Sequence, residues 1–184
     1  MIGSVMALSF FLASCTEMKP VPPKLEKVPN ANATDRETLV RKTSANVRGK
    51  RIAVEVKYRD FAEQDKGRHT SWRGTDGGIP EIVVESFKVT SDGRELFIPK
   101  EMYSDFGEPV KGGGFLDIYM TSEGFAVKYS GGDGAGSYAG TFYFVDDRFD
   151  ALLMGNLGMG GTKGSPRVVW VETWRKTPSC ATER

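Results

Sequence analysis

Few residues in this chain have the type and spacing that catalysis needs. His69 is the only histidine, and it lies in the polar stretch RHTSW with Ser71 two residues later. A serine nucleophile needs a histidine base that an acid orients, and the sequence pairs His69 with no particular acid. One histidine and two cysteines, Cys15 and Cys180, leave too few nitrogen and sulfur ligands for zinc. We therefore predict no catalytic residue, no metal and no cofactor.

The acidic residues leave one catalytic alternative open. Glycoside hydrolases use two carboxyl groups, one as an acid and the other as a base or nucleophile. The chain has 24 aspartates and glutamates, but their spacing favours no particular pair. A carboxylate-dependent hydrolase of cell-wall glycans is therefore an alternative hypothesis to a protein without catalysis.

Two glycine-rich stretches imitate nucleotide-binding motifs. In GGDGAGSYAG, residues 131–140, the residues Gly134, Gly136 and Ala139 match the G-x-G-x-x-A fingerprint. That fingerprint works because a helix follows the glycines and its N-terminus receives the pyrophosphate. Here the strand-like TFYFV follows, and the second stretch, residues 155–165, lacks the Gly-Lys-Ser/Thr of a phosphate loop. We predict loops in both places and no nucleotide.

The best candidate for binding is the loop RHTSWRGTDGG, residues 68–78. It brings His69, Trp72, Arg73 and Asp76 into one short span flanked by glycine. Exposed Trp and Arg are common anchors of protein interfaces, and an aromatic face beside hydrogen-bonding groups also suits a sugar ring. The alternative is structural: Trp72 packs into the core and Arg73 pairs with an acid.

Periodicity predicts how such a loop is supported. RIAVEVKYR, residues 51–59, alternates apolar and polar residues, as a half-buried strand does. Asp92-Gly93 is a strong hairpin signal between two strand-like stretches. Similar stretches of strand-forming residues recur about eight times, at 51–59, 81–89, 95–98, 115–121, 125–130, 137–145, 150–154 and 167–176. We predict an all-β fold, an antiparallel β-sandwich, with a small β-barrel as the alternative.

The first 15 residues resemble the signal of bacterial lipoproteins. Residues 5–13 form an almost unbroken apolar run, which is too short to span a bilayer and is typical of a signal peptide. The run ends in Leu12-Ala13-Ser14-Cys15, which resembles the lipobox. The resemblance implies cleavage before Cys15 and attachment of lipid to its thiol. Thr16, where an aspartate would favour the inner membrane, implies the outer membrane facing the periplasm.

The rest of the chain is predicted as a tethered domain. After the signal peptide, residues 1–14, residues 15–34 read as a lipidated tether with four prolines. Thr34 and Glu37 have the spacing of a helix capping box, which predicts a short helix at 35–45. Residues 46–178 form the single β domain, and 179–184 are a tail that carries Cys180.

These features favour binding over catalysis. A formal net charge of +1 gives no basis for binding nucleic acid. We expect a lipid-anchored envelope protein whose β-sandwich binds an envelope protein or glycan, as an inhibitor, immunity factor or assembly accessory. Besides the hydrolase, a purely structural envelope lipoprotein is an alternative.

Overall fold

A computed structural model of the chain describes residues 24–29, 31–35, 39–108, 115–132, 136–158 and 167–175. These residues contain eleven strands in chain order: β1 Glu26–Lys27, β2 Ala31–Asp35, β3 Val40–Val47, β4 Lys50–Asp60, β5 Ile82–Ser91, β6 Arg94–Leu96, β7 Leu116–Met120, β8 Gly124–Gly131, β9 Tyr138–Val145, β10 Arg148–Gly158 and β11 Arg167–Arg175. Two short 3₁₀ turns lie at Glu63–Asp65 and Lys100–Met102.

The strands form two antiparallel sheets packed as a β-sandwich, which confirms the predicted fold class. The six-stranded sheet has the order β1-β7-β8-β9-β10-β11, and the five-stranded sheet has the order β2-β3-β4-β5-β6. Neither sheet closes into a barrel. Most neighbours in each sheet are also neighbours in sequence, because short turns join antiparallel strands without crossovers.

Strand β4 follows the alternation that the sequence predicts. Ile52, Val54, Val56 and Tyr58 retain between 0 and 6% of their exposure, while Lys57 on the other face is exposed. The pairing of β4 with β5 shifts by one residue at Lys57/Tyr58. The extra residue of β5 lies between Val84 and Phe87, so both of these side chains belong to the core, whereas Val83 is buried outside the core cluster.

Aromatic rings fill the space between the two sheets. Phe87 of β5 packs 4.5 Å from Phe142 of β9, measured between ring centroids. Phe106, from the segment that follows β6, stacks on Tyr129 of β8 at 5.6 Å. Burial of each such ring contributes about 1.5–3 kcal/mol. The Phe106 carbonyl also accepts a hydrogen bond of 2.9 Å from the Val84 N–H of β5, so the segment around residue 106 contacts both sheets.

Four hairpin turns meet at one end of the sandwich: Arg48–Gly49, Asp92–Gly93, Ser122–Glu123 and Asp146–Asp147. We call this end the turn pole. The Asp92–Gly93 turn has positive φ at both residues, as a two-residue hairpin of the predicted kind requires. Arg48 donates hydrogen bonds of 2.7 Å to the carbonyls of Thr121 and Ser122, so it joins the two sheets.

The start of the sandwich corrects two predictions. Residues 40–45, predicted as part of a helix, belong to β3, which pairs with β4 along its whole length. Residues 26–27 and 31–35, predicted as tether or helix, form β1 and β2. The sandwich therefore begins well before residue 46. Pairing with a neighbouring strand, which is not local in sequence, outweighs a local capping signal.

Some predicted features lie outside the described residues. They include the signal peptide 1–14, the lipidated Cys15, and the tail with Cys180. Strand β10 takes in residues 155–158 of the second glycine-rich stretch, and 159–165 lie outside the described part. Within the described ranges, no helix has the length and hydropathy needed to cross a membrane.

Candidate functional site

The predicted binding loop lies at the end of the sandwich opposite the turn pole. Strand β4 starts at the turn pole with Lys50 and ends at Asp60, where the connection to β5 begins. This connection, residues 61–81, lies beside residues 103–108, Gly132 and Gly136. We call this set of segments the loop pole.

His69 and Trp72 form a contact pair at the loop pole. Their ring centroids lie 4.7 Å apart with an interplanar angle of 82°. Phe61 meets Trp72 from a second direction, at 5.6 Å and 80°. All three side chains are half-buried. Trp72 is therefore neither a core residue nor a free surface side chain: two edge-to-face contacts hold it, and part of it meets solvent.

Arg73 fastens the loop to the neighbouring segment. Its Nε donates a 2.8 Å hydrogen bond to Asp105 Oδ2, and its backbone N–H donates to the Asp105 carbonyl at 2.9 Å. In return, the Gly107 N–H donates to the Arg73 carbonyl at 2.9 Å. The structural alternative thus describes Arg73 correctly, since it pairs with an acid. Its guanidinium supports the loop from the side of residues 105–107.

Gly74 allows the loop to approach its neighbours closely. Its φ is +95°, and a Cβ built there would overlap the carbonyl oxygen of Gly107 and come within 3.1 Å of the Tyr138 ring. Gly132 and Gly136 also lie against Gly74. Any side chain in these places would separate the loop from β8 and β9. Glycines of the first glycine-rich stretch therefore form, together with Gly107, the surface on which the loop packs, which we call the seat of the loop. A strand follows this stretch.

Tyr138 also stabilises the contact between Gly74 and Gly107. Its hydroxyl donates to the Gly107 carbonyl at 3.2 Å. Burial raises the pKa of Tyr138 well above its usual value, as it does for Tyr129 beside it. Both phenols are therefore neutral at physiological pH, and the Tyr138 hydroxyl serves as a hydrogen-bond donor rather than as a base.

A buried carboxylate fixes the other side of the loop. Asp65 retains 1% of its side-chain exposure and accepts hydrogen bonds of 2.6 and 2.8 Å from the two terminal nitrogens of Arg59. Arg68 donates to it at 3.1 Å, and the Ala62 backbone N–H at 3.0 Å. The hydrogen bonds from Arg59 hold the pKa of the Asp65 carboxyl well below its usual range, although burial opposes this.

Sequence reasoning missed Asp65. It stands in the charged run AEQDKGR, where any of the acids reads as a solvated surface residue. The available signal was two arginines, Arg59 and Arg68, on either side of this one aspartate. Only the turn at Glu63–Asp65 reveals that the three meet.

Asp76 stands apart from these contacts at an exposed turn. Thr75 closes this turn, because its hydroxyl lies 3.1 and 3.0 Å from the carbonyls of Trp72 and Gly78 and its single proton is shared between these two acceptors. The structure thus brings His69 and Trp72 together, directs Arg73 towards Asp105, and leaves Asp76 exposed.

The chemical groups at the loop pole suit recognition. Two carboxylates here pair with arginines, Asp65 with Arg59 and Asp105 with Arg73. The hydrogen bonds from Arg59 lower the pKa of the Asp65 carboxyl, so it stays ionised and does not take the protonated form that a general acid needs. Within the part of the chain that is described, no group of three or more His, Cys, Asp or Glu side chains has a metal-binding arrangement.

Comparisons with protein family models, with curated proteins and with solved structures give no match for this chain.

Proposed function

We propose that this chain is a lipid-anchored bacterial envelope protein that uses the loop at residues 68–78 to bind an envelope protein or glycan without chemistry. One observation carries the proposal. The half-buried pair of His69 and Trp72 lies between two ion pairs that fix its loop, Asp65 with Arg59 on one side and Asp105 with Arg73 on the other.

Fixing the loop before binding raises affinity. A flexible loop loses conformational freedom when it binds, at a cost of about 0.5–1.5 kcal/mol for each ordered side chain. Here the ion pairs, the close contact at Gly74 and the Thr75 turn have already removed much of that freedom. Trp72 can therefore contribute its aromatic surface at a small entropic cost.

The pair offers two kinds of contact to a ligand. The exposed part of the Trp72 ring supplies apolar contact, which suits the face of a sugar ring or an apolar side chain of a protein. His69 adds ring nitrogens that donate or accept hydrogen bonds. Inhibition, immunity or assembly in the envelope all need this kind of recognition and no reaction.

The envelope location is the second part of the proposal. It is supported by Leu12-Ala13-Ser14-Cys15 at the end of an apolar run, and Thr16 favours the outer membrane, with the domain in the periplasm. Two or more acyl chains are needed for stable anchoring. Intact-mass measurement of the membrane fraction tests this part: we expect a chain that begins at Cys15 and carries acyl groups. A chain found without acyl groups on Cys15 contradicts it.

Capture of a partner tests the binding part. The chain from residue 15 onward, with Cys15→Ser, is immobilised and exposed to an envelope extract that contains both proteins and glycans. We expect capture by the parent chain and loss of capture with Trp72→Ala. Phe97→Ala is the matched control, because Phe97 is 80% exposed and lies outside the loop pole. Equal capture by the parent and Trp72→Ala, or equal loss in both variants, contradicts the proposal.

A further inference from the structure

The chain enters the sandwich at a defined end. In β1, Glu26 pairs with Met120 and Lys27 with Tyr119, and the Val28 N–H then donates to the Ile118 carbonyl at 3.3 Å. Strand β1 therefore runs from the end of β7 towards its start. Because β7 ends at the turn at Ser122–Glu123, the first residue of β1, Glu26, lies on the side of the turn pole.

The loop pole lies at the far end of the same strands. Strand β4 runs from Lys50 at the turn pole to Asp60 at the loop pole. At a rise of about 3.3 Å per residue, its ten steps separate the two ends by roughly 33 Å. The pair of His69 and Trp72 lies beyond Asp60, in the connection that follows.

The chain between Cys15 and the sandwich is short. Ten peptide steps separate Cys15 from Leu25, and at most about 3.6 Å per step limits their distance to roughly 36 Å. A lipid on Cys15 thus keeps the turn pole within that distance of the membrane. The loop pole can come equally near the membrane only if the whole sandwich turns over about the segment that joins Cys15 to Leu25.

We infer that the turn pole faces the phospholipid surface and that the loop at 68–78 points away from it, towards a partner in the aqueous space. This inference rests on the proposed attachment of lipid to Cys15, and it adds the orientation and the membrane-facing surface. It also explains why recognition groups gather at the loop pole, since the other end is occupied by the membrane.

Charge at the turn pole has no net part in this orientation. The basic residues in the four turns or directly beside them are Arg48, Lys50, Arg94 and Arg148, and the acidic ones are Asp92, Glu123, Asp146 and Asp147. The two sets balance, so the turn pole has no net electrostatic attraction to an anionic surface. The point of attachment therefore sets the orientation, which should change little at high ionic strength.

Energy transfer to the membrane tests the orientation. The full lipidated chain with Cys180→Ser is inserted in phospholipid vesicles that contain an acceptor-labelled lipid. A donor dye is attached at Glu123→Cys in the turn pole or at Thr70→Cys in the loop pole, both exposed positions. With roughly 33 Å between the poles, we expect transfer from the Glu123 position to be at least about twofold more efficient.

The outcomes separate the two proposals. The mass of each labelled protein is measured first, so that acylation of Cys15 is known. Acylated protein with equal transfer from both positions, or with more from Thr70→Cys, overturns the orientation alone. Protein without acyl groups overturns the proposed anchoring and the orientation with it. Higher transfer from Glu123→Cys that persists at high ionic strength supports the inference.

Discussion

The buried carboxylate of Asp65, in the segment that leads into the candidate binding loop, accepts hydrogen bonds from both terminal nitrogens of Arg59, at 2.6 and 2.8 Å. Arg59 is the penultimate residue of strand β4, while Asp65 lies near the start of the connection that carries His69 and Trp72. The pair therefore joins the rigid sheet to the loop. It turns a stretch rich in glycine and polar residues into a surface of fixed shape.

The first prediction concerns the stability that this pair contributes. Asp65→Asn keeps the shape of the side chain but removes its charge, which leaves Arg59 without its counter-charge. Arg59 is 28% exposed, so water relieves part of the loss, and we expect the free energy of unfolding to fall by about 2–3 kcal/mol. Denaturation by urea measures this change.

Glu63→Gln is the matched control for that variant. Glu63 belongs to the same 3₁₀ turn and pairs with Lys66, but its side chain is 83% exposed. An exposed pair contributes about 0–1 kcal/mol. If both variants lose the same stability, Asp65 does not have the structural role described here.

The second prediction concerns the stability of the fold in acid. Hydrogen bonds from Arg59 and from Lys50 lower the folded-state pKa values of Asp65 and Asp147, respectively. A lowered folded pKa gives stability that is complete above the unfolded value of about 3.9 and is lost as the pH falls towards the folded value. We therefore expect the free energy of unfolding to decline from about pH 5 to about pH 2.

A series of urea titrations between these pH values measures the decline. In Asp65→Asn the acidic part of the curve should be flatter, because one of the groups that takes up a proton on unfolding is gone. An identical slope in the parent and the variant would show that Asp65 does not contribute to the acid sensitivity.

The sequence predicted those parts of the sandwich whose structure depends on signals from residues close together in the chain. Alternation in 51–59 and the turn residues Asp92-Gly93 each depend on neighbours in the chain, and β4 and its hairpins follow them. Strands β2 and β3 were missed because ANATD and VRKTSANV have weak patterns of their own. They become strands by pairing in order alongside β4, which no local pattern encodes.

The sequence predicted that the candidate site is a loop, but it did not predict the tertiary contacts that hold this loop in place. The co-occurrence of His69, Trp72, Arg73 and Asp76 predicted a loop at 68–78, and these residues lie in the connection between β4 and β5. The partner of Arg73, however, is 32 positions away, and Gly74 lies against glycines from the β8–β9 connection. Such contacts depend on the completed fold. A sequence can therefore indicate which side chains are suited to binding, while the fold determines which of them hold the loop.

The third prediction concerns the contact between the sheets at the turn pole. Asp147 accepts hydrogen bonds from Lys50 at 2.6 Å and from Ser91 at 3.1 Å, both in the other sheet. Asp147→Asn should lower the free energy of unfolding by about 1 kcal/mol, because a charge-assisted contact becomes a neutral one. Its neighbour Asp146 is exposed and shares the positive φ that asparagine tolerates. Asp146→Asn should therefore have little effect, and a loss as large as that of Asp147→Asn would contradict the proposed bridge.

The fourth prediction distinguishes the close contact between Gly74 and Gly107 from the backbone conformation that both Gly74 and Gly77 adopt. Gly74 and Gly77 both have positive φ, at +95° and +81°, but only Gly74 lies against other backbone, while a Cβ at Gly77 would meet nothing within 4 Å. Alanine at either position costs about 1–2 kcal/mol for the left-handed conformation. Gly74→Ala must in addition push the loop away from Gly107, which displaces Arg73 from Asp105 and shifts Trp72.

Stability and partner capture measured together distinguish these effects. We expect Gly77→Ala to lose some stability and keep capture from an envelope extract, and Gly74→Ala to lose more stability and also capture. Because Gly74 touches the seat and carries no recognition group, loss of capture in a variant that is still folded would show that the position of Trp72, and not its presence alone, determines binding. Equal capture by the two variants would show that the seat at Gly107 does not position the loop for its partner.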